Sequence, residues 1–167
     1  MMEKNKIGVK VKYFSMFLLL VSMSASAQLL KEKILIGRVE WISLPNLELK
    51  HRSRIDTGAK TSSLHAVGIE EVQQGGELFV KFQSVDFEGK TKELIRKVES
   101  MQRVANPGGG TSKRYVVREK VRLGSFEKEI SINLNDRSKM EYKFLVGRNL
   151  LLGRFVVDVA RSHVLGD

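Results

Sequence analysis

The sequence predicts an all-β domain, closed or sandwiched, with room for only one short helix. Three observations carry that expectation. Short runs with alternating apolar residues follow one another from Ile34 to Leu165, parted by Gly, Pro and Asn turn signals. Only Asn149 to Leu152 invites a helix, and about one turn of it. No internal repeat and no linker interrupts the region after residue 27.

The runs are taken in chain order. Ile34 to Ile42 places Ile34, Ile36, Val39 and Trp41 among other residues and ends at the turn signal Leu44-Pro45-Asn46. Leu47 to Ile55 follows and delivers the chain to Asp56. Leu64 to Val72 and Leu78 to Val85 flank Gln73-Gln74-Gly75-Gly76, which reads as a hairpin loop. Phe79, Phe82, Val85 and Phe87 read as core or edge positions. Thr91 to Val104 and Arg114 to Leu123 flank a glycine-rich loop, Gly124 breaks the next pair, and Phe126 to Leu134 follows. Tyr142 to Val146, Phe155 to Val159 and Val164-Leu165 are expected to finish the sheet.

Residues 1–27 read as a cleavable secretory leader and 28–167 as one domain. Lys4, Lys6, Lys10 and Lys12 make a basic start, Tyr13 to Val21 is a short apolar run, and Ala25-Ser26-Ala27 offers small residues to a signal peptidase. That run falls short of the roughly 18 to 20 residues that span a bilayer, so the expectation is export to the periplasm with no stable membrane anchor. An uncleaved anchor is the alternative. The junction holds no Cys, which excludes a lipoprotein.

Of 29 Lys+Arg and 19 Asp+Glu, four Lys and one Glu lie in the leader, which leaves the domain at +7. A basic surface favours acidic partners. No Lys/Arg run is interleaved with aromatics, so no nucleic-acid partner is expected. Without any Cys there is no disulfide framework, thiolate nucleophile or thiolate metal site.

The chemistry concentrates in Arg54-Ile55-Asp56-Thr57-Gly58-Ala59-Lys60-Thr61-Ser62-Ser63-Leu64-His65. A carboxylate followed by a small hydroxyl residue and a glycine suits a tight turn at a strand end. On residue types alone, an ordinary Asx turn explains the triplet equally well. A second stretch, Phe144-Leu145-Val146-Gly147-Arg148-Asn149-Leu150-Leu151-Leu152-Gly153, puts apolar residues before Gly-Arg-Asn and a leucine run after it. The two together resemble the retropepsin-like aspartic peptidases. Gly37-Arg38-Val39-Glu40-Trp41, the continuation Ala59-Lys60-Thr61-Ser62 and Asp136-Arg137-Ser138-Lys139-Met140 are similar to one bacterial branch, labelled ATP-dependent zinc proteases or RimK-associated retropepsin-like peptidases.

The resemblance implies a small closed acid-protease barrel in which the apolar-apolar-Gly strand threads behind the Asp-Thr-Gly loop and enters a short helix. It makes Asp56, Thr57 and Gly58 the catalytic triplet: Asp56 activates water, Thr57 locks two loops across a dyad, and Gly58 bonds the substrate backbone. Leu150 and Leu151 would fill the space behind the loop. Two carboxylates about 3 Å apart share one proton and so serve as base and acid together. The chain carries one Asp-Thr-Gly, so a homodimer would supply the second carboxylate. Peptide or protein is the implied substrate. Ala59, Lys60, Gly108, Gly109, Gly110 and Arg148 are the substrate-binding candidates, the three glycines because the Pro107–Gly110 loop lies where retropepsins carry a flap. A mobile hairpin tip is the equal alternative for that loop.

Other parts of the family label find no support. The glycine-rich loop lacks the Gly-Lys-Ser/Thr pattern that opens a helix around a phosphate, and no cofactor is expected. His51, His65 and His163 are the only histidines and make no His-Glu-x-x-His, so no metal site is assigned. A convergence of His51, Asp56 and His65 stays open as an alternative, with His65 as a brace for the Asp56 loop the plainer reading.

Where viral retropepsins carry an acidic residue two positions after the glycine, this chain has Lys60, with Arg148 still in place. Two cations beside a groove suggest that they hold a substrate carboxylate. The alternative is that Asp136 or Glu141 neutralises Arg148. Three function classes remain: an exported aspartic endopeptidase, a non-catalytic barrel that binds a peptide or envelope partner, and a metal-dependent peptidase.

Overall fold

Arg38 splits the first predicted strand in two. The computed structural model describes residues 33–105 and 109–166, and in it Ile34–Gly37 forms β1 and Val39–Leu44 forms β2. The cause is tertiary. A Cβ at Gly37 would fall 2.6 Å from the Arg161 carbonyl oxygen, the same oxygen that accepts the Arg38 N–H at 2.8 Å. The expected leader (1–27) and the candidate Gly108 lie outside the described residues.

A 3-10 turn at Pro45–Leu47 leads to β3 (Leu49–Ile55), β4 (Ser62–His65), β5 (Val67–Gln74), β6 (Glu77–Val85), β7 (Thr91–Ala105), β8 (Thr111–Leu123), β9 (Phe126–Asn135), β10 (Phe144–Val146), helix α1 (Arg148–Leu151) and β11 (Phe155–Asp158). The expected strand from Leu64 to Val72 is therefore two strands. They part at Ala66, whose N–H goes to the Asn135 carbonyl at 2.9 Å while β5 turns to pair with β6. The hairpin between β5 and β6 turns on Gly75 and Gly76, both at positive φ (61° and 79°), as a two-residue loop of matching twist demands.

The strands run in the order β2-β3-β10-β4-β9-β8-β7-β6-β5, and β8 also pairs back onto β2 through Ile42↔Leu123 and Ser43↔Arg122. Six strands thereby close into a ring, from which β7, β6 and β5 continue as an extension. The all-β expectation with a single short helix holds. Ile42, Leu44, Leu64, Val121, Leu123, Ile132, Leu134 and Phe144 are almost fully buried and fill the core. Leu150 and Leu151 join them from α1. Phe82 is buried as expected, while Phe87 is half exposed and meets Trp41 edge-on at 5.3 Å.

Val164 and Leu165 form no strand, contrary to the sequence expectation. Their amides donate to the carboxylate of Glu40, at 3.0 Å and 3.4 Å, and Gly37 N–H donates to it at 2.6 Å. Glu40 is fully buried, and these three backbone donors are what make its burial tolerable. A side-chain acceptor thus replaces the ladder the apolar pair would otherwise have sought.

Candidate active site

Asp56 stands at the end of β3, and backbone holds it there from behind. β10 lies between β3 and β4, parallel to the first and antiparallel to the second. The Asp56 N–H donates to the Val146 carbonyl at 2.9 Å. Past the loop, Arg148 N–H reaches the Ala59 carbonyl at 2.9 Å and Asn149 N–H the Lys60 carbonyl at 3.2 Å. Gly147 makes this closeness possible, since a Cβ there would sit 2.6 Å from the Thr61 carbonyl carbon and 2.8 Å from the Ser62 nitrogen.

The loop closes on its own carboxylate. Asp56 Oδ1 accepts N–H bonds from Gly58 (2.9 Å) and Ala59 (3.0 Å), which fixes the side chain in one orientation. Thr57, Gly58 and Lys60 are exposed and Asp56 is half-buried, so the acid lies at the surface in one copy of the chain. Arg148 serves this loop: its Nη1 donates to the carbonyls of Thr57 (3.1 Å) and Gly58 (2.6 Å). The acids considered as its neutralisers are elsewhere. Glu141 pairs with Arg52 at 2.8 Å, and Asp136 Oδ1 accepts the Ser138 N–H at 2.8 Å.

Ala59, Lys60 and Thr61 line a cleft of about 570 Å³ together with Gln102, Arg103 and Val104 of β7. Its remaining lining includes Ser63, Arg114, Asn133 and Arg137. Burial pulls the Arg137 guanidinium below the usual arginine range, and Arg114 beside it acts in the same direction; only Asp56 opposes them. Burial lowers Arg114 too. Gly109 and Gly110 lie at the hairpin tip between β7 and β8, both at positive φ and exposed.

The histidines take other duties. His51 is buried, its ring stacked on Phe144 at 6.2 Å, and burial lowers its pKa to about 4. His65 Nδ1 accepts the Arg137 N–H at 3.0 Å and lies 3.9 Å from Asp136 Oδ1. Burial, and Lys143 after it, pull its pKa down, which suits a ring that must accept that bond. His65 therefore braces the Asp136–Arg137 turn, not the Asp56 loop as the sequence reading had it. Among the described residues no three His, Asp or Glu side chains gather closely enough to hold a metal ion.

The sequence reading missed Ser63, Arg114, Asn133 and Arg137. A signal existed for two of them. Ser63 stands in the Arg54–His65 stretch and Arg137 in the Asp136–Met140 motif, both quoted from the sequence, whereas Arg114 lies on the β8 face of exposed Arg118, Lys120 and Arg122, where alternation expects a charged residue.

A closed small barrel, an Asp-Thr-Gly loop at a strand end, and an apolar-Gly strand threading behind it define the retropepsin-like class. Residues 35–166 match the profile of the family described as RimB-like, retropepsin-like aspartic endopeptidase RimB, and the chain belongs to that family. Proteins named "Probable alpha-L-glutamate ligase" from Parasynechococcus marenigrum and Shewanella pealeana are 39% and 33% identical over 139 residues, or 81% of this chain. The chain spans only 30% of the length of those relatives. A solved structure from Legionella pneumophila, of unknown function, superposes with a TM-score of 0.68 at 29% identity, over 80% of this chain and 99% of that one.

Proposed function

We propose that this chain is an exported aspartic endopeptidase that cleaves peptide bonds with water activated by Asp56 and the Asp56 of a second copy, favouring acidic peptides. One observation carries the reading: Asp56 sits at the surface, oriented through one oxygen by two amides, with a single such loop per chain. In the paired site the two carboxylates share one proton. The ionised acid takes a proton from water as its oxygen attacks the scissile carbonyl, and the protonated acid gives its proton to the carbonyl oxygen. The tetrahedral diol then collapses, the C–N bond breaks, and a proton passes to the leaving nitrogen. A carboxylic acid and an amine result, with no covalent enzyme intermediate. Thr57 would join the two loops across the dyad, Gly58 would bond the substrate backbone, and the β7–β8 hairpin carrying Gly109 and Gly110 would cover the peptide.

An apolar strip supports a second copy as the partner. Leu35 and Val156 are register partners on β1 and β11 and both are exposed, and Val159 lies beyond them. Val157 and Val159 line a cavity together with Asp56 and Thr57, which brings the strip to the catalytic loop. The acidic preference is supported by the basic composition and by the cations of the cleft. The relatives named as glutamate ligases agree with it, since a ligated glutamate chain is an acidic peptide. Export rests on the basic, apolar and small-residue pattern of residues 1–27.

The test compares the chain from Gln28 onward with its Asp56→Asn variant on an unstructured protein, with and without a chelator. Cleavage lost at least about a thousandfold in the variant and unmoved by the chelator is the expected result. Cleavage that survives Asp56→Asn, or stops with the chelator, overturns the reading. A non-catalytic binding module is the second reading, favoured by relatives whose printed name is that of a ligase; peptide binding without any turnover would establish it.

A further inference from the structure

We propose that Arg114, Arg137 and Ser63 form a carboxylate-binding subsite in the cleft beside the Asp56 loop, and that this trio, more than Lys60 and Arg148, selects an acidic group next to the scissile bond. The proposal rests on the peptidase reading for its position in the substrate, but its test does not require turnover.

Three strands set the trio on a rigid frame. Ser63 on β4 is register partner to Asn133 on β9, and Asn133 is partner to Val116 on β8, two residues from Arg114 on the same face. Arg137 follows two residues after the end of β9. Its own N–H is fixed by His65 Nδ1 at 3.0 Å and its Nε by the Tyr142 carbonyl at 2.9 Å.

What these groups lack defines the ligand. Arg137 is only 7% exposed, and no carboxylate lies within ion-pair distance of it or of Arg114 among the described residues. Arg114 finds only neutral oxygens, Ser112 Oγ and Asn133 Oδ1, both at 3.4 Å. Ser63 is 3% exposed and its Oγ has no hydrogen-bond partner. Two half-desolvated guanidinium groups that repel one another, beside a buried hydroxyl with nothing to bond, call for an anion with more than one acceptor oxygen. A carboxylate meets that need, taking a forked donation from a guanidinium and a further one from the serine hydroxyl. Burial already depresses both guanidinium pKa values, and for Arg137 the charge of Arg114 adds to it; an anion would relieve that.

The neighbouring cations are otherwise occupied. Arg118 pairs with Glu99 at 2.9 Å, Lys128 Nζ donates to the Asn149 carbonyl at 2.9 Å, and Arg148 spends Nη1 on the catalytic loop. Lys60 and Arg103 stand exposed, where water and salt screen a single charge.

The carboxylate could come from a Glu or Asp side chain or from a chain terminus, and the test separates them. Labelled octapeptides carrying Glu or Gln at one central position, each with a free or an amidated C-terminus, are bound to the Asp56→Asn protein and followed by fluorescence anisotropy. The expected result is about a tenfold advantage for the carboxylate-bearing member of one pair. That advantage should fall below about threefold in Arg114→Gln and in Arg137→Lys, which keeps the charge but loses the fork. Ser63→Ala should reduce it several-fold with an unchanged melting temperature. An advantage tied to Glu over Gln marks a side-chain subsite, and one tied to the free terminus marks a terminal one; either supports the trio. Equal binding across both pairs, or an advantage that survives both arginine substitutions, overturns it. Cleavage by the wild-type protein, measured apart, tests the peptidase reading alone.

Discussion

Ser62 and Ser63 are neighbours on one strand and live in opposite circumstances. Ser62 Oγ donates to Asn149 Oδ1 at 2.9 Å and accepts the Gly147 N–H at 3.0 Å; its own N–H also meets Asn149 Oδ1, at 3.0 Å, and its carbonyl accepts Asn133 Nδ2 at 3.1 Å. Asn149 completes the set by donating to the Ser131 carbonyl at 2.7 Å. One residue on, facing the cleft, Ser63 Oγ is just as buried and bonds nothing. The side of the strand behind the Asp56 loop is a finished polar network, and the side before it is an unfinished one. A finished network fixes geometry, whereas a buried hydroxyl left without a partner beside an open cleft leaves a donor for something else to bind.

The largest effect should come from forcing the finished side apart. Gly147→Ala puts a methyl group within 3 Å of three backbone atoms of Thr61 and Ser62, and backbone cannot swing away as a side chain tip can. We expect a loss of about 3 kcal/mol or more in chemical denaturation; the peptidase activity proposed above would fall alongside, because Asp56 hangs on the same contacts. A cost under about 1 kcal/mol would mean that the rear wall yields, and the contrast between the two sides would lose its structural meaning.

His51 sharpens the contrast by offering a buried atom without a partner that needs no ligand. Its Nε2 bonds nothing, yet the ring is neutral and stacked on Phe144. The free side chain titrates near 6.5, and burial lowers the folded value to about 4. Above pH 6.5 both states are neutral and the group is silent. As pH falls from 6.5 toward 4 the unfolded chain takes up a proton that the folded chain refuses, so stability is lost across that window, by roughly 3 kcal/mol in all. His51→Phe should keep most of the neutral-pH stability and flatten that part of the pH–stability curve. An unchanged acid slope in the variant would remove His51 from the account.

Much of this was legible in the chain because local chemistry decides it. Ile55-Asp56-Thr57-Gly58 and Val146-Gly147-Arg148-Asn149 each need particular residues for a tight turn and a close backbone approach, so type and spacing give them away. Most strand runs follow for the same reason. What the sequence concealed depends on partners far along the chain. The break at Arg38 comes from Arg161, and the fate of Val164-Leu165 comes from the buried carboxylate of Glu40, 124 residues from Val164. The cleft trio is brought together by β4–β9–β8 pairing, which no linear pattern states. Arg148 stands where the motif puts it, but the path of its side chain was not legible: Nη1 turns to the Thr57 and Gly58 carbonyls, and the acids weighed as alternative partners, Asp136 and Glu141, are engaged elsewhere.

The smallest effect is the most direct measure of the difference between the two serines. Ser62→Ala removes a hydroxyl that both donates and accepts, leaves the Gly147 N–H without its acceptor, and should cost about 1 to 2 kcal/mol in denaturant titrations. Ser63→Ala deletes a buried hydroxyl that makes no bond in the free protein, so desolvation of that group is no longer a burden on the folded state; we expect stability unchanged within about 0.5 kcal/mol, or slightly raised. The same strand and the same substitution thus differ in whether the oxygen has a partner. If Ser63→Ala proved as costly as Ser62→Ala, its hydroxyl would have a structural role in the free protein, and the unfinished face would have to be explained without a ligand.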